Sequence, residues 1–379
     1  MARILRLDQT PEVVTVEIEG VGVRRFHALW LRDNSFDSAT RSPVNGQRLV
    51  TINDIDQATT IANCEQSSDG SSISVTFSPC GTSSRFPIDW LLHHSYDIDR
   101  PTRKGWLPQT VRTWTSSTSV RELPRVSWSA MSNDDSALCH WLSGVRQMGV
   151  GIVTDMPTSP KFLCTMARRF GYVRETNYGE CFDVRAEVTP SNLAYTNLGL
   201  QAHTDNPYRD PVPTMQILAC LENSVDGGES TVIDAFSVAQ ALRDAEPGFF
   251  ELLTTYPVRF AFEGTADVSL HAKRPIIELG PDGELIAVRF NNRSTAPFRD
   301  IPFNVMPDFY RAYRAFATYV DDPRFAIEFK LAPGGAFIVD NLRVMHARRA
   351  FSGSGRRWLQ GCYVDRDGLE STLRVLEGS

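Results

Sequence analysis

The chain has 379 residues, 42% of them apolar and 22% charged, with a formal charge of −6 and a sequence pI near 5.7. That is enough chain for two domains and a sizeable core, in a composition typical of globular proteins. The acidic balance excludes a domain-wide phosphate-binding surface, so no nucleic acid partner is expected, and the arginines between Arg343 and Arg357 form a local cluster. No basic start with an apolar stretch behind it opens the sequence, and no segment approaches a membrane span. A cytoplasmic location without a membrane partner is the expectation.

In chain order, residues 1–100 carry short alternating runs such as Val13–Glu19 and Ser74–Phe77, divided by Ser, Gly and Asn clusters, which predicts a small β-rich domain. Residues 101–132 accumulate Pro, Thr, Ser and Trp without periodicity and read as an extended connector. From 133 to 379 the pattern changes. Asp134 or Asp135 caps a predicted helix through Met148, Val150–Thr154 reads as a strand, and Pro160–Phe170 as a helix. Strands are then predicted at Met215–Leu221, Ser230–Ile233, Arg274–Leu279, Leu285–Phe290, Ala326–Leu331, Ala336–Asp340 and Trp358–Val364, with Pro281-Asp282-Gly283 as a hairpin turn. Helices interrupt at Ser237–Asp244 and Pro307–Val320. The order predicts a mainly β fold with flanking helices: a double-stranded β-helix, or jelly roll, behind a small β-rich N-terminal domain. No internal repeat is expected. Seven cysteines at scattered positions predict reduced, mostly packed thiols.

The chemistry starts at His203-Thr204-Asp205. Two imidazoles and one carboxylate can occupy one face of an octahedral Fe(II) and leave three positions for a chelating cosubstrate and dioxygen. Alone, the tripeptide also fits an Asx-type turn beside a solvated histidine. His346, just beyond the buried strand Ala336–Asp340, supplies the third ligand, and Arg357 stands eleven residues further on. A dicarboxylate cosubstrate that chelates iron through its keto-acid end needs a fixed cation for its far carboxylate, and a guanidinium offers a bidentate fork.

With these residues in place, the chain from about Asp134 onward resembles the γ-butyrobetaine hydroxylase and trimethyllysine hydroxylase branch of the Fe(II)/2-oxoglutarate dioxygenases. The matching elements are Asn192-Leu-Ala-Tyr195-Thr196, His203-Thr-Asp205, Gly227-Gly-Glu-Ser230, Phe290-Asn-Asn292, Asp340-Asn341 with His346, and Arg357-Trp-Leu-Gln-Gly361. The N-terminal part resembles the family's accessory domain through Leu29–Asn34 and Gln47-Arg48. The resemblance implies Fe(II), 2-oxoglutarate and O2, with ascorbate as a stimulant, and a homodimer. It implies His203, Asp205 and His346 as iron ligands and Arg357, assisted by Ser230, on 2-oxoglutarate. It implies an aromatic cage of Tyr178, Phe182, Tyr195 and Tyr363 for a trimethylammonium group, with Asn192 and Asn292 at the substrate's anionic end. Where relatives carry a zinc-binding cysteine cluster, this chain has Ser35, Asp37 and Thr40, so no structural zinc is expected.

Two departures bear on the substrate. Asn206 stands where butyrobetaine enzymes often have an aromatic residue, and Arg293 adds a guanidinium where relatives often have a small residue. An extra cation favours a more highly charged anion, so 2-(trimethylamino)ethylphosphonate, hydroxylated at C1, is the favoured substrate, with γ-butyrobetaine as the alternative. Two rivals of other classes are a non-catalytic quaternary-amine binding protein and a zinc hydrolase.

Overall fold

The structure is a computed structural model and describes residues 3–99, 101–185, 199–265, 267–352 and 355–378. It separates into two compact units, Met1–Pro101 and Thr102–Ser379.

In the smaller unit, β1 (Ile4–Gln9), β2 (Val13–Ile18) and β3 (Gly22–His27) form one antiparallel sheet followed by helix α1 (Ala28–Asp33). A second sheet of β4 (Thr60–Gln66), β5 (Ser72–Ser78) and β6 (Ser83–Pro87) is followed by α2 (Ile88–His93). Strict alternation along β2 buries Val14, Val16 and Ile18, which pack with Phe26, Val75, Phe77 and Phe86. The two halves repeat each other, against the expectation from the sequence. Arg25-Phe26 and Arg85-Phe86 end corresponding strands, and each pair leads through a short helix carrying Trp-Leu to Ser35 and Ser95. Trp30 and Trp90 meet with ring centroids 5.4 Å apart. The repeat is short and its remaining positions differ, so hydrophobic pattern alone does not reveal it.

Ser35, Asp37 and Thr40 are held by hydrogen bonds within this unit. The Thr40 hydroxyl donates to Asp37 Oδ2 at 2.7 Å and accepts from Arg32 Nη1 at 2.7 Å, and the Ser35 hydroxyl donates to the Leu31 carbonyl at 3.3 Å.

The larger unit opens with β7 (Arg125–Ser127), α3 (Trp128–Asn133), α4 (Asp135–Met148), β8 (Val150–Thr154), α5 (Phe162–Ala167), β9 (Val173–Arg174) and β10 (Phe182–Val184). Asp134 caps α4 by accepting from the Ser136 N–H, and Gly149 ends it at φ +70°, a left-handed turn that a side chain would resist. Then come β11 (Leu200–His203), β12 (Met215–Asn223), β13 (Asp226–Gly227), β14 (Ser230–Asp234), α6 (Ala235–Ala245) and α7 (Pro247–Thr255). After β15 (Val258–Thr265), β16 (Val268–Arg274), β17 (Ile277–Leu279) and β18 (Leu285–Val288), the chain runs through α8 (Met306–Val320) and β19 (Ala326–Phe329). It closes with β20 (Ala336–Asp340), β21 (Val344–Arg348), β22 (Phe351–Ser352), β23 (Arg357–Val364) and α9 (Arg366–Glu377).

Two sheets carry the site. The larger runs β10-β23-β12-β20-β8-β7, with β9 also on β23, and the smaller runs β11-β21-β14-β19. Among the described residues all the strand pairings in them are antiparallel except β7 with β8. Alternation divides the large sheet's faces. Ile217, Ala219, Ile338, Cys362 and Val364 pack outward with α4, α5 and α9, while Gln216, Leu218, Phe337, Leu359 and Tyr363 look into a cavity. The jelly roll expected from the sequence is the fold.

The segment read as a connector is packed into this unit rather than extended. Trp114 is 3% exposed, its backbone N–H donates to Asp234 Oδ2 at 3.1 Å, and its indole donates to the Met148 carbonyl at 2.8 Å. Asp234 also forms a fully buried ion pair with Arg343 at 2.8 Å, which ties the start of α6 to the start of β21.

Candidate active site

His203 and His346 face each other across the β11–β21 pairing, and Asp205 follows two residues after the end of β11. Their ligand atoms all lie within 4.8 Å of one another, with Asp205 Oδ1 3.3 Å from His203 Nε2 and 4.0 Å from His346 Nε2. The sequence separates His346 widely from the other two, and the cross-strand register brings it to them.

Each ligand is oriented from behind. His203 Nδ1 lies 2.7 Å from the Gln201 carbonyl, which fixes the proton there and leaves Nε2 as the ligand atom. Asp205 Oδ2 accepts from Tyr363 Oη at 2.8 Å and from Gln216 Nε2 at 2.6 Å, so Oδ1 alone turns to the histidines. The buried Asn341 amide holds the Asp205 backbone at both ends, accepting from its N–H at 2.7 Å and donating to its carbonyl at 2.9 Å. His346 Nδ1 has no partner among the described residues.

The electrostatics match a cation site. Burial would raise the Asp205 carboxyl, but its contacts with His203, His346 and the Tyr363 hydroxyl outweigh it and hold the group below its ordinary range. Burial, with His203 and Arg293 nearby, pushes His346 down to about 3 despite Asp205, so its imidazole is neutral and available to a metal. Burial and the neighbouring Asp205 charge keep the Tyr363 phenol protonated and a donor. A neutral His346, the Nε2 of His203 turned inward and a clamped carboxylate fit Fe(II), which takes this donor set on one face.

These residues open on a cavity of about 400 Å³. Arg357, 7% exposed, reaches it from the start of β23. Its Nη2 donates to the Gly228 carbonyl at 3.3 Å, its Nε has no partner among the described residues, and burial lowers its pKa. Gly228 is required there, since a Cβ would stand 3.1 Å from Arg357 Nε at a φ of +70°. A guanidinium so buried, facing a cavity with no carboxylate paired to it among the described residues, calls for an anionic ligand. Ser230 lines the same wall, cross-strand from Arg348.

Rings follow one another along the cavity wall: Tyr363 to Phe182 at 5.2 Å, Phe182 to Tyr178 at 6.1 Å, Tyr178 to Phe262 at 6.0 Å and Phe262 to Tyr208 at 5.1 Å. Tyr178, Phe182 and Tyr363 were expected; Tyr208 and Phe262 were not. Asn206 takes a left-handed backbone (φ +53°) that asparagine tolerates, accepts from Tyr208 Oη at 2.6 Å, and keeps its buried Nδ2 without a partner among the described residues. Asn192 and Tyr195 lie outside the described residues.

Arg293 lines the cavity as expected, but Asn292 does not. Its amide donates to Gln201 Oε1 at 2.6 Å and it accepts from the Tyr313 hydroxyl, so it is exposed on the far side of the loop. Asn291 takes the inward position, with Ser294 and Arg348. Sequence reading named Asn341 only as part of a motif, without a role, and missed Gln216. For Gln216 a signal existed: it is a lone polar residue in the apolar run Met215–Leu221, where a buried amide must have a partner.

A jelly roll carrying two histidines and a carboxylate around one point, with a buried guanidinium across the cavity, defines the class of non-haem iron oxygenases that use a 2-oxo acid. Residues 113–363 match the family described as taurine catabolism dioxygenase TauD, TfdA family. The chain is 35% identical over 356 residues to a gamma-butyrobetaine dioxygenase of Pseudomonas sp. (strain AK-1), covering 94% of this chain and 91% of that protein. It is 28% identical over 393 residues to a trimethyllysine dioxygenase of Meyerozyma guilliermondii, covering 99% and 96%. Among solved structures, an asparagine oxygenase shares the fold, with a TM-score of 0.50 and 19% identity over 62% of this chain and 82% of that one. The chain belongs to the TauD/TfdA family and is an Fe(II)/2-oxoglutarate-dependent dioxygenase. This sets aside the binding-protein and zinc-hydrolase readings. Among the described residues no helix is long and apolar enough to cross a membrane.

Proposed function

We propose that this dioxygenase hydroxylates an unactivated C–H bond of a small trimethylammonium zwitterion. The observation that carries the proposal is the arc of five rings opening on the same cavity as the His-Asp-His set. A quaternary ammonium donates no classical hydrogen bond, so ring faces within about 6 Å must recognise it, each worth about 0.5–2 kcal/mol.

His203, Asp205 and His346 would hold Fe(II), and Arg357, with Ser230 beside it, would take the far carboxylate of 2-oxoglutarate. With both bound, the centre supplies the oxidant from O2: one oxygen atom enters the substrate C–H bond, the other leaves in succinate, and CO2 is released. The chain's own residues fix the geometry. Tyr363 and Gln216 hold Asp205 Oδ2 so that one carboxylate oxygen serves the metal, and the rings set the distance of the reacting carbon from it.

The anionic end of the substrate falls to Arg293, Arg348 and Asn291, with the Asn206 amide as a further donor on the wall. Two guanidiniums on the cavity beyond Arg357 favour a doubly charged head, which supports 2-(trimethylamino)ethylphosphonate, hydroxylated at C1, as the substrate. The 35% identity to a gamma-butyrobetaine dioxygenase supports γ-butyrobetaine as the second reading. The test offers both compounds, with trimethyllysine, to the iron-loaded enzyme with 2-oxoglutarate and measures succinate and hydroxylated product. Preference for the phosphonate is expected. Turnover of carboxylates alone removes the phosphonate assignment, and succinate formation stimulated by none of them removes the trimethylammonium one.

A further inference from the structure

Away from the iron site, three cysteines meet behind the large sheet. Cys164 on α5 stands in hydrogen-bonding contact with the thiols of Cys181 and Cys362, and its Sγ also lies 3.9 Å from the Glu180 carbonyl. Cys164, 3% exposed, and Cys181 line one cavity of about 470 Å³, whose wall also carries Lys161 and Arg168, the latter paired with Glu180 at 3.1 Å. Cys362, on the buried outer face of β23, is 1% exposed and does not reach it.

From this arrangement we infer that Cys164 and Cys181 form a peroxide-reactive dithiol, with Cys164 as the attacking thiolate and Cys181 as the resolving thiol. Two neighbouring thiols and two cations around one sulfur stabilise its negative charge, and nucleophilic reactivity belongs to the thiolate. Hydrogen bonds from Cys181 and Cys362, helped by Arg168 and Lys161, hold Cys164 below the ordinary thiol range against the cost of its burial. The same contacts hold Cys181 and Cys362 above it, so the proton stays on the resolving partner. At two other cysteines burial prevails, pushing Cys64, with the Glu65 charge, up to about 12 and Cys220, against Arg357 and a backbone hydrogen bond, to about 11.

The chemistry balances with hydrogen peroxide as the oxidant. The Cys164 sulfur attacks one peroxide oxygen, an S–O bond forms, the O–O bond breaks, and hydroxide leaves and is protonated to water. Cys164 is now a sulfenic acid. Cys181 then attacks the Cys164 sulfur: the S–S bond forms, the S–O bond breaks, and hydroxide leaves as water with the Cys181 proton. Two thiols lose two electrons, and one peroxide becomes two waters.

The experiment treats the full, reduced chain with one equivalent of hydrogen peroxide in the presence of a chelator, so that no iron takes part, and maps products by mass spectrometry. Expected is a Cys164–Cys181 disulfide, reversed by dithiothreitol and formed about tenfold faster than oxidation of the exposed Cys80. Cys80 is a fair standard because Arg32 and Thr82 lower its own pKa against partial burial. In Cys181→Ser the reaction should stop at a Cys164 sulfenic acid that dimedone traps, and in Cys164→Ser the fast phase should vanish while circular dichroism stays unchanged. Oxidation of Cys80 before Cys164, a Cys164–Cys362 bridge, or dimedone labelling absent from Cys164 in a folded Cys181→Ser protein would each overturn the assignment.

Discussion

Removing one oxygen atom, in Tyr363→Phe, separates two jobs that the structure gives to one side chain. The ring stands 5.2 Å from Phe182 in the aromatic arc, whereas the hydroxyl donates to Asp205 Oδ2 at 2.8 Å. Phenylalanine keeps the first and deletes the second. A hydrogen bond to a buried carboxylate is worth about 1.5–3 kcal/mol, and losing such support behind a metal ligand typically costs roughly 10- to 100-fold in metal affinity. Gln216 remains on the same oxygen at 2.6 Å, which places the expected loss at the lower end, about tenfold. Tyr363→Phe with Gln216→Leu should then lose more than the sum of the single changes, because either donor alone can still hold the carboxylate. Anaerobic calorimetric titration with Co(II), without 2-oxoglutarate or substrate, reads this directly. An unchanged metal affinity in Tyr363→Phe, accompanied by a higher KM for the quaternary substrate, would refute the clamp and leave Tyr363 as cage wall only.

Arg357→Met should raise the 2-oxoglutarate KM about 100-fold or more, with Arg357→Lys in between, because a desolvated charge pair is lost; steady-state kinetics with varied cosubstrate check this. At Gly361 a Cβ would come within 2.3 Å of the Phe182 ring, so Gly361→Ala should displace that ring and raise the substrate KM while Co(II) affinity holds. The metal-free protein should lose stability on acidification. His346 sits at about 3 in the fold against an ordinary 6.5, so between those values the unfolded chain binds the extra proton. Its contribution is complete above pH 6.5 and shrinks by at most about 1.4 kcal/mol per unit as pH falls toward 3; thermal melts should show a shallower decline in His346→Gln.

What the sequence disclosed, and what it hid, follows the range of each interaction. His203 and Asp205 are two residues apart, and strand Ala336–Asp340 was read with the bounds it has, so His346 came with it. Asn292 failed by one position. Loops lack the alternation that assigns faces in a strand, and a shift of one residue exchanges inside for outside, here in favour of Asn291. Phe262 was hidden because the β15–β16 hairpin alternates rings with charged residues such as Arg259, Glu263 and Lys273 and reads as surface. The inward face of that hairpin becomes legible only when Tyr178 and Tyr208, distant in sequence, pack against it. The repeated halves of the N-terminal unit escaped for a related reason: what they share is strand pairing, the Arg-Phe and Trp-Leu pairs and the contact of their two tryptophans, and few side chains beyond that.

The two sheets divide the work, and the division explains why each support residue is polar and buried. The small sheet brings His203 and His346 face to face, which alone would leave an open pair of imidazoles. The large sheet supplies the answering groups from cross-strand neighbours: Gln216 stands opposite Tyr363, and both donate to Asp205. Further along the same two strands, Asn223 stands opposite Arg357, at the other end of β23. One strand therefore carries the Asp205 clamp near its end and the buried guanidinium at its start, about six residues or roughly 20 Å apart along the backbone. Both side chains line the same cavity, so the length of β23 sets how far apart Tyr363 and Arg357 stand along its wall.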